Sequence, residues 1–530
     1  MQKLNQEKKL SWLTWALRGF LALGFLVLSV RLFELQIIKG SYFRSLSDEN
    51  RIRRISITAA RGKILARGGE ELVSNNEVKK RIEFKKSGGY TKVTDLGNAR
   101  PEEIITEPER IYPLEDKFSH ISGYLSEVNS SEVSKVDPNC LDKGARKLGD
   151  LTGRTGLEEE YDCTLRGIDG EALMEVDSLG RFVRLLGMKE PIVGSDIHTT
   201  IDVGIQKKTA EALGDKKGAV VVSDGKGQIL SMYSSPSFDP TNISSGLTNS
   251  DLPFFNRSIS GTFHPGSVFK IVTATAALED HKIDRNFTYN DEGIIKIGDF
   301  SYTNWYFTQY GGREGVINLV KGIARSTDTM FYKLGEMVGV DRLAFWAHKF
   351  GLGKSLGIDL PGEAGGIVPD PKWKNDVKGE RWFLGNTYHM AIGQGDLTAT
   401  PLQANIITSV VANGGKLCKP YLNSKLSIDC TDLGISKETL EIVKEGMIGA
   451  CSSGGTAFPF FDFKPQVACK TGTAETDEKD KTHAWFSAFG PADNPQVVVT
   501  VLVEKGGEGS VVAAPIARKI FDYWNLRNNP

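Results

Sequence analysis

The hydrophobic pattern of the chain changes character twice. Residues 12–30 form a strongly apolar run, uncharged from Gly19 to Val30, with Arg18 and Arg31 near its ends. At about 1.5 Å per residue, a helix over residues 12–31 reaches roughly the ~30 Å of a bilayer core. Arg18 can snorkel toward the interface, and Trp12 and Trp15 suit the same depth. No small-x-small cleavage site follows the run, so it reads as an uncleaved membrane anchor over residues 12–35 behind a tail of residues 1–11. Lys3, Lys8, Lys9 and Arg18 lie on one side, and Arg31, Lys39, Arg44 and Arg51 on the other. Charge counting therefore leaves the orientation open.

Residues 31–196 are rich in charge, with a Lys/Glu-heavy stretch at 70–92 and short apolar runs at 53–57 and 172–176. They read as an extended, partly β module, whose plain alternative is a spacer. From about His198 the texture becomes that of a packed domain. Two β-prone runs, 219–223 and 228–233, flank Asp224-Gly225-Lys226-Gly227, a hairpin signal. The run 268–278 is almost unbroken in apolar or small residues and reads as a buried helix, opened by the break His264-Pro265-Gly266. A helical region is expected over 317–338, and another from Asp341 as N-cap to a stop at Gly351. Ser436 precedes an amphipathic stretch carrying Leu440, Val443 and Met447 on one face. Three strands at 467–474, 484–489 and 497–504 precede a helix opened by Pro515. Two early strands, a helical middle and three late strands predict an α+β domain: an antiparallel five-stranded sheet flanked by helices.

The length of 530 residues predicts more than one domain, and a net charge of −1 gives no electrostatic reason to expect a nucleic-acid partner. The cysteines Cys140, Cys163, Cys418, Cys430, Cys451 and Cys469 contain no Cys-x-x-Cys pair, and there is no His-Glu-x-x-His. No metal or other cofactor is expected, and the cysteines are consistent with either paired or free states.

The candidate chemistry lies in three strings in one order: Ser267-Val268-Phe269-Lys270, Ser326-Thr327-Asp328 and Lys470-Thr471-Gly472-Thr473. They offer a hydroxyl nucleophile, an amine to activate it and a strand able to hold a peptide carboxylate. A second Ser-x-x-Lys, Ser223 to Lys226, reads as the hairpin turn. Three residues along a helix bring Lys270 within reach of Ser267. An apolar setting and a second cation, Lys470, would lower the pKa of Lys270 toward that of a general base. A phosphate-loop reading of Lys470-Thr471 fails because no glycine-rich loop precedes it.

Through these three strings the chain resembles the penicillin-recognising serine transferases, and among them the class B penicillin-binding proteins. Asn256-Arg257-Ser258-Ile259, Gly357-Ile358-Asp359-Leu360-Pro361-Gly362, Ile392-Gly393-Gln394-Gly395, Thr400-Pro401-Leu402-Gln403 and His483-Ala484-Trp485-Phe486 share the resemblance over roughly residues 194–521. Arg61-Gly62-Lys63-Ile64 and Gly153-Arg154-Thr155-Gly156 resemble the family's pedestal. Trp382, Gly385-Asn386-Thr387 and the Ile392 string are more similar to the cell-elongation members than to the septal ones.

The resemblance implies a β-lactamase-like fold, a pedestal over 36–196 and a transpeptidase domain over 197–530. It implies a D,D-transpeptidase of cell-wall elongation in which Ser267 attacks the bond between terminal D-alanines of a stem peptide, with β-lactams acylating the same residue. Lys270 would act as base, Ser326 as proton relay, Lys470 and Thr471 would hold the carboxylate, and Gly472 would keep the strand slim. Thr473 and Ser267 would give backbone N–H groups to the oxyanion. A membrane glycan polymerase partner and an extracytoplasmic catalytic domain on the bacterial inner membrane are implied too. The chain departs from the family at Asp328, where many members carry asparagine, and an ionised Asp328 beside Lys270 would oppose its role as base. It departs again at Ala66-Arg67-Gly68-Gly69, where relatives often have Asp-Arg-Asn-Gly. The rivals are a β-lactam-hydrolysing or D,D-carboxypeptidase enzyme, and a non-catalytic sensor or scaffold.

Overall fold

The computed structural model describes residues 3–85 and 89–528. Residues 1 and 2 of the expected tail, and 86–88 of the Lys/Glu-heavy stretch, lie outside the described residues. The chain divides into two compact units, the first formed by Met1–Arg61, Asn75–Glu109 and Gly167–Gly194 and the second by Gly62–Ser74, Arg110–Arg166 and Ser195–Pro530.

In the first unit a helix spans Lys3–Phe33 and runs on as a π-turn to Ile38, and Trp12–Ile38 is long and apolar enough to cross a membrane. A three-stranded antiparallel sheet follows, with Gly170–Val176 between Ile52–Ile57 and Phe182–Lys189. Burial alternates strictly along Gly170–Val176, so Ala172 and Met174 reach a small core with Ile55, Ile57 and Ile82.

The second unit is built on a five-stranded antiparallel sheet, in chain order β1 (Gly218–Ser223), β2 (Ile229–Ser235), β3 (Ala468–Glu475), β4 (Thr482–Gly490) and β5 (Val497–Val503). The spatial order is β2-β1-β5-β4-β3, which leaves β3 at an edge. β1, β2 and β5 are buried at every position because helices cover both faces. On one face Val499, Val501 and Val503 meet the helices Val203–Leu213 and Ala514–Asn528. On the other, Leu502 and Trp485 pack with Val268 and with Ala404 of the helix Pro401–Ala412. Asn405 of that helix donates to Val221 O at 3.3 Å and Val498 O at 3.4 Å, so its buried amide is satisfied by the sheet. The β1–β2 turn carries Gly225 and Gly227 at φ +74° and +106°.

Ser436 caps the helix Lys437–Ala450, its side chain accepting from Thr439 N, and Val443 and Met447 are buried. Two expectations are corrected. Residues 317–338 are not one helical region: Ile317 and Asn318 end the strand Gly315–Asn318, and the helices Leu319–Arg325 and Asp328–Val338 are separated at Ser326 and Thr327. Asp341 does not cap the next helix, which spans Val340–Lys349 with Gly339 at its N-cap, so Asp341 lies in the first turn. The φ of +81° at Gly339 ends one helix and opens the next without a linker long enough for an Asp cap. The cysteines are paired, as Cys140–Cys163, Cys418–Cys430 and Cys451–Cys469.

Candidate active site

Ser267 sits in a 3-10 turn, Gly266–Phe269, that leads directly into the helix Lys270–Glu279. The turn is fixed from outside: Gly266, at φ +53°, donates its N–H to Gly393 O at 2.9 Å. Glycine is needed on both sides, because a Cβ on Gly393 would lie 2.0 Å from Gly266 O. Gly472 lets β3 approach the same turn, since a Cβ there would lie 2.9 Å from Trp485 Cβ and 3.4 Å from Pro265 O. Ser267 is half-buried, while Lys270 is fully buried.

The Lys270 ammonium points toward the second string. Its Nζ donates to Ser326 O at 2.8 Å, Ser326 Oγ at 3.1 Å and Asp328 Oδ1 at 2.6 Å. Ser326 makes this possible by its backbone: at φ +55° and ψ +40° it is a left-handed residue that ends the helix Leu319–Arg325. Asp328 then opens the next helix, with Thr327 as N-cap. Both residues belong to a helix junction rather than to a helix interior, as the run of apolar positions had implied. Lys470, also fully buried, donates to the same Ser326 Oγ at 2.8 Å and to Thr471 O at 3.0 Å. Thr471 Oγ1 lies 2.7 Å from Thr456 Oγ1. Thr473 has its carbonyl bonded by Gln394 Nε2 at 3.3 Å, and its Oγ1 accepts from Gly509 N at 3.4 Å. The structure thus joins Lys270, Ser326, Asp328 and Lys470 in one hydrogen-bonded cluster, with Ser267 one helical turn from Lys270 and Thr471 to Thr473 continuing β3 from Lys470.

Burial is the larger electrostatic influence on both amines. It pushes Lys270 below the ordinary lysine value, against the Asp328 carboxylate, which pulls the other way through its charge and its hydrogen bond. Lys470 is pushed well below the ordinary value by burial first and the Lys270 charge second. The expected opposition of Asp328 is therefore present but outweighed. The Phe331 ring, 5.2 Å from Lys270 Nζ, is part of the apolar enclosure.

Sequence reasoning missed several supports. Trp305 donates its backbone N–H to Asp328 Oδ2 at 3.3 Å and its indole N–H to Arg325 O at 2.8 Å, holding the junction from both sides. Gln394 lies in the Ile392 to Gly395 string that carries part of the family resemblance, yet its contact with Thr473 has no local signal. Thr456 stands before a Pro- and Phe-rich loop that reads only as a connection. Among the described residues, Asp137, Cys140 and Cys163 bring potential ligand atoms within 4.8 Å of one another. The two sulfurs are joined in a disulfide and so are not available as thiolates.

The family described as "Penicillin binding protein transpeptidase domain" matches residues 218–522, and "Penicillin-binding Protein dimerisation domain" matches residues 100–199. The chain is 30% identical over 629 aligned positions, covering 100% of itself and 90% of its relative, to the peptidoglycan D,D-transpeptidase MrdA of Acinetobacter baumannii. It resembles the penicillin-binding protein PBP2 solved in complex with MreC from Helicobacter pylori, with a TM-score of 0.76 and 26% identity over 90% of this chain and 99% of that one. A chain of a peptidoglycan synthase complex that coordinates polymerization and crosslinking matches with a TM-score of 0.76 and 28% identity. That match covers 97% of this chain and 99% of the other.

Proposed function

The chain belongs to the penicillin-binding protein transpeptidase family, as a class B member of the elongation type, and on that premise we propose that Ser267 is its nucleophile and that Lys270, Ser326 and Lys470 move the protons. The enzyme is a serine-type peptidoglycan D,D-transpeptidase. The observation that carries the proposed roles is the shared hydroxyl: Ser326 Oγ is hydrogen-bonded by both lysines.

As an ammonium, Lys270 has three N–H groups, and its three contacts use all of them. As an amine it has two and a lone pair, so one contact must be given up and the lone pair becomes available to the Ser267 proton. Burial favours that uncharged form. Ser267 Oγ then attacks the carbonyl between two terminal D-alanines of a donor stem peptide. The backbone N–H groups of Ser267 and Thr473 hold the oxyanion, an interaction of the type that dominates acyl transfer. Lys470 and Thr471 hold the terminal carboxylate, and Gly472 allows the peptide close to β3. The proton passes through Ser326 to the departing D-alanine amine. An amine of a second stem peptide attacks the ester, forms the new peptide bond and leaves a proton to restore the Ser267 hydroxyl. Asp328 anchors Lys270.

The division into a tail of 1–11, an anchor of 12–35, a pedestal of 36–196 and a transpeptidase domain of 197–530 is part of this reading. So are a catalytic domain outside the inner membrane, β-lactam acylation at Ser267 and a membrane glycan polymerase partner. The partner inference draws support from the two matched structures, one a complex of PBP2 with MreC and one from a peptidoglycan synthase complex. The test is to incubate the protein and Ser267→Ala with a fluorescent penicillin, then with paired stem peptides. A stable adduct that needs Ser267, together with crosslinked product, supports the reading. Rapid loss of label would turn it toward a hydrolase, and equal labelling of both proteins would remove Ser267 from its role.

A further inference from the structure

The loop between the helix Lys437–Ala450 and β3 touches both sides of the reactive cluster. Cys451 caps that helix and is bonded to Cys469, the residue before Lys470, and both are buried. Inside this closed span, Ala457 donates its N–H to Ala450 O at 2.9 Å and Phe460 is buried against the core. The loop is therefore held at its ends and along its length. Gly454 O accepts from Arg325 Nη1 at 3.3 Å, one residue before Ser326. Two residues later, Thr456 Oγ1 stands 2.7 Å from Thr471 Oγ1.

The geometry points to Thr456 as a positioning residue for the transpeptidation, whose hydroxyl donates to Thr471 Oγ1 so that the Thr471 proton is turned to the terminal carboxylate of the substrate. A threonine hydroxyl has one proton and two acceptor positions, and between two hydroxyls the bond can run either way. A carboxylate only accepts, so a substrate bound to Thr471 selects the direction Thr456 to Thr471 to carboxylate. Such a chain of hydrogen bonds strengthens its last, charge-assisted member. The inference rests on the reading of Thr471 as a carboxylate ligand.

The test compares Thr456→Val, which keeps the shape and removes the hydroxyl, with Thr456→Ser, which restores it. Acylation rate constants of the full chain are measured with a fluorescent penicillin and with its methyl ester, which lacks the carboxylate. Thr456→Val is expected to slow the free acid about tenfold and the ester less than about twofold, with Thr456→Ser recovering most of the loss. Equal loss with both compounds, or none, overturns the inference. Thr471→Val is measured alongside: if it too treats acid and ester alike, the carboxylate role of Thr471 is overturned and the inference with it. If only Thr471→Val discriminates, Thr456 alone is excluded.

Discussion

Lys270 and Lys470 share one acceptor, Ser326 Oγ, at 3.1 and 2.8 Å. Two ammonium groups donating to one hydroxyl leave that hydroxyl's own proton nowhere to go between them. If either lysine is an amine, the Ser326 proton has a lone pair to meet, and burial of both side chains favours that state.

Removing the shared hydroxyl tests this directly. Ser326→Ala is expected to slow acylation by a fluorescent penicillin by about 100-fold, the lower range of what proton transfer through a positioned group contributes. Intact-mass measurement of adduct against time gives the rate constant. Acylation at the wild-type rate would exclude Ser326 from the proton route.

Asp328→Asn removes the carboxylate that raises the Lys270 pKa and keeps an amide oxygen to accept from Nζ. With Lys270 as the proposed base, the deprotonated amine is the reactive form, and the acylation rate is expected to rise with pH through the Lys270 pKa. Without the carboxylate that pKa falls further, and the rising limb of the profile is expected at lower pH. Rate constants measured from about pH 5 to 10 give the direction; a shift to higher pH would contradict it.

His120 is buried, and burial lowers its pKa from 6.5 to about 4, while its Nε2 donates to Pro253 O at 2.8 Å. In the unfolded chain it takes up a proton near its ordinary value, and in the folded chain only near 4. Stability is therefore lost progressively as pH falls from about 6.5 through about 4, by about 3 kcal/mol in all from this residue. Denaturant titrations of His120→Gln and wild type across that range should converge toward acid, the variant losing less.

Gly393→Ala forces a Cβ to within 2.0 Å of Gly266 O at a residue with φ +79°. The collision is with backbone next to Ser267, so no rotamer change relieves it. Acylation is expected to fall by more than about 100-fold with a clear drop in melting temperature. Gly454→Ala, in a position where a Cβ would meet nothing within 4 Å, supplies the comparison for a strained φ without a clash.

The three strings were legible because each is local: a turn before a helix, a short polar run and a strand. The sheet was legible from the short, continuous apolar runs of β1, β4 and β5, β-branched in β1 and β5 and buried at nearly every position, and the helix after Ser436 from the apolar face that carries Val443 and Met447. The break at Ser326 was hidden because Ile323, Met330 and Phe331 are buried on either side and keep a helical pattern across it. Tertiary contacts, Trp305 to Asp328 and to Arg325 O and Lys270 to Ser326 and Asp328, hold the interruption. The pairing of cysteines and the contacts of Thr456 and Gln394 depend on how separate elements, 12 to 79 residues apart, meet in space, which no spacing rule encodes.

The left-handed turn at position 326 has a mechanical corollary. Both of that residue's oxygens, backbone and side chain, receive hydrogen from one amine, so displacing the junction between the two flanking helices would strain two hydrogen bonds to the same nitrogen. The hydroxyl at 326 is thereby tied, through the amine at 270, to the turn that carries position 267.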